Sequence, residues 1–131
     1  MRARSLLALS AALALTAFAP MGGWATITMD PYSTRIAPSD SLRLAFVVKQ
    51  HGVRPLAGLV PRIEAVAEGH RTVTVKAKPV KGDGRYAATV RLPSAGDWTV
   101  TVHSGFMTSK LVLTPVHVLG ASEVAQAAPK H

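Results

Sequence analysis

The residues with the most chemistry to offer are imidazoles and thioethers: Met29, His51, His70, His103, Met107 and His117. Copper sites favour His with Cys or Met, and zinc sites favour His with carboxylate. A metal motif becomes persuasive when its ligands recur at a fixed spacing. Here they stand singly, with no HxH, HxxxH or Met-rich run. The expected metal and cofactor content is therefore none. Within a copper-binding alternative the ligands would be His51, in a Gly-containing loop, with His103 and Met107, which flank a Gly105-Phe106 turn. The chain has no cysteine. That excludes a disulfide, a lipoprotein anchor, an iron–sulfur centre, covalent c-type haem and a thiol nucleophile.

Enzyme chemistry finds no better footing. Ser, His and Asp all occur, but there is no Gly-x-Ser-x-Gly elbow. Glu64 and Glu68 would share the outer face of a strand, and a small chain hardly offers the cleft that paired carboxylates need. Gly82-Asp83-Gly84 is a turn between strands with no helix behind it, so it is no phosphate loop. The reading is a protein that is not an enzyme.

The elements that must position these side chains are strands. Tyr86, Ala88, Val90 and Leu92 alternate with polar residues, as do Trp98, Val100 and Val102. Period-two alternation marks half-buried strands. With Pro93 and Gly96 between them, the two runs read as a β-hairpin. Further strands are expected at Trp24–Met29, Ser41–Lys49, Arg62–Glu68, His70–Lys78 and Lys110–Val118, the third and fourth pairing across Gly69. Pro115 would weaken the last strand and place it at an edge. Seven short strands joined by turns argue an all-β, seven-stranded immunoglobulin-like β-sandwich, with a small barrel as the alternative.

Residues 1–23 read as a signal peptide. Met1-Arg-Ala-Arg4 is a basic n-region, Ser5–Ala19 is apolar, and small residues follow, so the cut is expected between 19 and 25. An uncleaved anchor is the alternative. No later run is long enough to span a bilayer, so the mature protein should have no transmembrane segment. The expected location is periplasmic or extracellular. The domain would run over 24–118, and 119–131, aperiodic and Ala- and Pro-containing, would be a flexible tail. The formal net charge of +8 stays strongly positive after loss of Arg2 and Arg4. It suggests acidic partners such as anionic lipid, cell-wall polymer or acidic protein, but a solvated basic surface is the favoured reading. Nucleic acid is not expected, since the basic residues are dispersed and the aromatics form no stacking series.

Phe46-Val-Val-Lys-Gln-His-Gly52, Pro55-Leu-Ala-Gly58, Gly84-x-Tyr86 and Leu92-Pro-x-Ala-Gly-x-Trp98-x-Val-x-Val102 together resemble a YtkA-like domain. That group is related to the FixH family and is similar in outline to copper-resistance and FixG immunoglobulin-like modules. The resemblance covers roughly Trp24 to Val118. It implies an exported bacterial β-sandwich found beside respiratory, cytochrome or copper-handling proteins, and it carries no catalytic residues. A tyrosine corner can be compared: Gly84 precedes Tyr86 by two and Ala88 takes the place of the antibody-type Cys, but Tyr86 falls on the fifth strand rather than the sixth. The functional expectation is an interaction module whose partner is an envelope or membrane-complex protein. Its recognition surfaces would be the loops around Gln50–Gly58 and Ser104–Ser109.

Overall fold

A computed structural model describes residues 24–127. The signal-peptide reading of residues 1–23, and the last residues of the expected tail, lie outside the described residues. The strands are β1 Ala25–Met29, β2 Arg35–Ile36, β3 Leu42–Gln50, β4 Arg54–Pro55, β5 Arg62–Val66, β6 Val73–Lys76, β7 Lys78–Pro79, β8 Arg85–Val90, β9 Gly96–His103, β10 Lys110–Val112 and β11 Val116–Val118. One helix, α1, spans Ala121–Ala127.

Two sheets form. The first has the order β1-β3-β8-β7, with β4 folded onto the end of β3. The second has the order β2-β11-β9-β5-β6, with β10 also on β9. The first edge of the chain belongs to both layers. β1 pairs antiparallel with β3, then Asp30-Pro31 breaks the run and β2 pairs in parallel with β11. This is the layout of an immunoglobulin-like sandwich. Its inner faces follow the alternation in the sequence. Leu42, Leu44, Phe46, Val48, Tyr86, Ala88 and Val90 come from one sheet, and Ile63, Ala65, Trp98, Val100, Val102 and Val116 from the other; all are buried. Along each strand, residues facing the core alternate with residues facing water.

The expected Tyr86–Val102 hairpin is not formed. β8 pairs with β3 and β7, while β9 pairs with β5, β10 and β11. Residues 91–95 carry the chain across from one sheet to the other. Leu92 is buried at the crossing, and the Trp98 indole N–H donates to the Ser94 carbonyl at 2.9 Å. The two apolar faces oppose each other across the core instead of lying side by side. Periodicity assigns a face to each residue but does not choose its neighbouring strand, so a hairpin and a crossover read alike.

The expected strand over Lys110–Val118 runs along β9 in two pieces. Val112 faces Thr101, but Val116 faces Trp98, so the β10–β11 side carries one more residue than β9 between these pairs. That is a β-bulge, and Pro115, which has no N–H to give to a ladder, sits within it. Pro115 does not put this strand on an edge: β11 lies between β9 and β2. His70–Lys78 is likewise interrupted. His70 belongs to the turn after β5, and β6 ends at Lys76, after which β7 joins the first sheet.

Ala121–Ala127, expected as part of an aperiodic tail, form α1. The Gly120 N–H donates to Glu123 Oε1 at 2.9 Å, so Glu123 satisfies a backbone donor at the start of the helix. Glu123 also meets His117 Nε2 at 2.9 Å. This tertiary anchor has no signature in local periodicity. Among the described residues no helix is long and apolar enough to cross a membrane.

Candidate functional site

One end of the sandwich gathers three loops: 51–61 after β3, 80–84 before β8, and 104–109 after β9. Strand direction places them together, because β3 and β9 end there while β1, β5, β8 and β10 begin there. The loops are stitched to one another. The Val48 N–H donates to Gly84 O at 2.8 Å, and the Leu56 N–H donates to Val48 O at 3.0 Å. Gly84 has φ +69°, and a Cβ there would stand 2.8 Å from Val48 O, so only glycine lets these two loops meet. At Gly105, φ +83°, a Cβ would meet the Val60 backbone at 3.0 Å, which closes the third loop onto the first.

Tyr86 locks the longest loop from below. Its ring is buried beside Phe46, with centroids 6.1 Å apart. Its hydroxyl donates to Leu56 O at 2.6 Å and accepts from the Leu59 N–H at 3.1 Å. In an antibody-type corner the tyrosine bonds back to backbone a few residues upstream. Here the bond spans 30 residues and serves a different loop, so the tyrosine-corner comparison fails. The 104–109 loop is held by its own turn. The buried Ser104 hydroxyl accepts from the Phe106 N–H at 2.9 Å and donates to Phe106 O at 3.1 Å. The Ser109 hydroxyl accepts the Ala25 N–H at 2.9 Å, tying in β1.

What this scaffold presents is apolar. Val53 is 77 % exposed, Met107 64 % and Val60 62 %; Trp24 and Val80 are exposed beside them. Val66, Val112 and Val124 are exposed elsewhere, but five of the exposed large apolar side chains gather at this end. The non-glycine residues with positive φ among those described are His51 and Met107, at 51° and 55°. Both are at this end, and left-handed backbone outside glycine concentrates at functional positions.

The residues singled out for metal binding separate. His103 and Met107 line one cleft of about 590 Å³, together with Arg62, Gly105, Thr108, Ser109 and Lys110. His51 does not line it; its ring rests 4.9 Å from that of Trp24. The His103 Nε2–H is directed to Glu64 Oε1 at 3.0 Å. His70 lies on Trp98, with centroids 5.7 Å apart. Among the described residues no three of His, Cys, Asp and Glu converge as a metal site would require.

His117 is the side chain whose surroundings sequence reasoning missed. Its Nδ1 meets Asp97 Oδ1 at 2.6 Å and its Nε2 meets Glu123 at 2.9 Å. The hydrogen bond to Asp97, and then that to Glu123, raise its pKa above the usual 6.5. The Gly120 N–H, and then His117, lower that of Glu123 below 4.5. Asp97 faces His117 across the β9–β11 register, a relation that follows from pairing and not from spacing.

No curated protein and no solved structure matches the chain. A family model does, from the β1–β2 crossover to the last residue of β9. With residues 32–103, more than half of the chain, matching the YtkA-like model, this protein belongs to the YtkA-like family.

Proposed function

We propose that this protein is an exported recognition module that docks through its loop end on a component of the cell envelope. The carrying observation is the exposure of Val53, Val60 and Met107 on loops fixed by Tyr86, Gly84 and Gly105. A surface whose loops are already ordered loses little conformational freedom on binding, and that freedom is a main cost of association. Export is supported by the basic start and apolar run of residues 1–19. The family resemblance favours a setting beside a respiratory or metal-handling envelope complex.

Site-specific photo-crosslinking in cells tests the reading. A crosslinker at Val53 or Met107 should give discrete adducts, and one at Asp40 or Ser94, toward the opposite end, should give none. Equal labelling from both ends, or none from either, would overturn it.

A second reading is copper binding at the same end. It is favoured by one observation, that His103 and Met107 line a common cleft.

A further inference from the structure

The outer face of the second sheet carries a row of cations that the strand register assembles from four separate segments. Lys76 on β6 is directly opposite Arg62 on β5; Arg62 is opposite His103 on β9; His103 is opposite Lys110 on β10. Directly opposed residues point to the same face. Lys76, Arg62 and Lys110 are exposed, and His103 is half-buried between them. With strands spaced ~4.8 Å apart, the row runs roughly 14 Å across the sheet. Like charges opposite one another are unfavourable in a sheet. The one carboxylate at hand, Glu64, sits a register step away and meets only His103. Lys76, Arg62 and Lys110 form no ion pair among the described residues.

This row is the last register before the loop end. Arg62, His103 and Lys110 line the 590 Å³ cleft, with the Thr108 and Ser109 side chains beside them and Met107 at its lip. Val60 stands two residues from Arg62 and is exposed; Val53, Val80 and Trp24 share that end. Cations flanking protruding apolar tips complement an anionic bilayer. The cations meet phosphate groups while the tips enter the boundary of the acyl region. These exposed apolar side chains are spread over three loops of one end, so they can meet a bilayer together.

We propose that the loop end binds anionic phospholipid bilayers, with the Lys76–Arg62–His103–Lys110 row taking the headgroup phosphates and Val53, Val60 and Met107 inserting. This rests on the loop end being the docking surface and names what it docks on.

The test uses the full chain with unilamellar vesicles of phosphatidylcholine, with and without phosphatidylglycerol. Trp98 is sealed in the core, so Trp24 is the responsive tryptophan. Binding is expected for the phosphatidylglycerol vesicles, weakening as salt rises, with blue-shifted Trp24 emission that brominated acyl chains quench. Arg62→Glu with Lys110→Glu should weaken it by at least about tenfold. Val53→Asp with Met107→Asp should abolish the quenching. Both pairs are exposed, and circular dichroism confirms that each variant folds. Equal binding to neutral vesicles, unmoved by either pair, would assign attachment to the apolar N-terminal run and overturn the proposal. So would a response of His103 to inorganic phosphate while vesicles are ignored, since the row would then be a site for soluble anions. If vesicles are ignored but crosslinks from Val53 to a protein persist, the lipid assignment falls and the docking surface stands.

Discussion

Tyr86 connects the core to the loop end through a single oxygen. Removing that oxygen leaves Leu56 O and the Leu59 N–H without their partner. Tyr86→Phe is expected to cost about 1–3 kcal/mol, because groups left unsatisfied near the core lose more than the bond itself. Amide exchange at Leu59 should accelerate more than exchange along β9; a uniform change would mean that the hydroxyl does not hold the loop. Metal binding is tested at this scale too. Copper or zinc titrated into the protein in a competitive buffer should show no stoichiometric site tighter than micromolar, because the His51 ring rests on Trp24 and His103 is engaged by Glu64. A site that vanishes in His103→Ala or His51→Ala would raise copper to the leading reading. The candidate residues themselves were legible in the sequence as residue types. Their company was not: His117 looked like an isolated imidazole because Asp97 and Glu123 reach it through strand pairing and a helix cap.

At the scale of elements, α1 is held by the contact of His117 with Glu123, and its anchorage should depend on pH. The Glu123 carboxylate faces His117 and the more distant Arg35, and Asp97 faces His117 from β9. His117 is raised above 6.5, so its contribution is full below that pH and is lost as pH rises through the raised value. Glu123 is lowered below 4.5, so its contribution is full above that pH and is lost as pH falls through the lowered value. The helix should be most firmly docked between 4.5 and 6.5. Backbone carbon shifts of Ser122–Val124 followed by NMR should show greatest helicity there; a profile flat from acid to alkaline pH would contradict the clamp. The effect is expected to be small, since both groups are open to solvent. Strand faces could be read element by element, because alternation is a local property. Partners could not. The order β3-β8 and β5-β9 depends on which apolar faces close on each other, and the bulge at Leu113–Pro115 depends on matching two strands of unequal residue count.

At the scale of the molecule, the sandwich stands on packing alone, with no cysteine to staple it. Trp98 sits wholly buried between the sheets, and Trp98→Ala should cost ~3–5 kcal/mol. Against a domain stability of ~5–15 kcal/mol, that leaves a marginal fold. Denaturant melts measure it; a loss within the range of ordinary surface changes would show the ring to be dispensable to the core. The all-β class, and the positions of the loops after β3 and β9, were legible from turn spacing and alternation. The cationic row was not, because its members are separated by up to 48 positions' worth of chain and become neighbours only when four strands align. The excess positive charge was visible from composition, but the alignment of these four side chains is a product of register.

The passage of the first edge from one sheet to the other has a mechanical corollary. β2 and β11 run in the same direction and are flanked by the His117 N–H to Thr34 O bond at 2.7 Å and the Leu119 N–H to Ile36 O bond at 2.9 Å. A pull applied at Trp24 and at the end of α1 would drag β2 and β11 in opposite senses along their lengths. Their bonds would then bear the load together rather than opening one after another. A domain fastened at its N-terminal side and tugged from its C-terminal side would therefore resist as a shear joint along this seam.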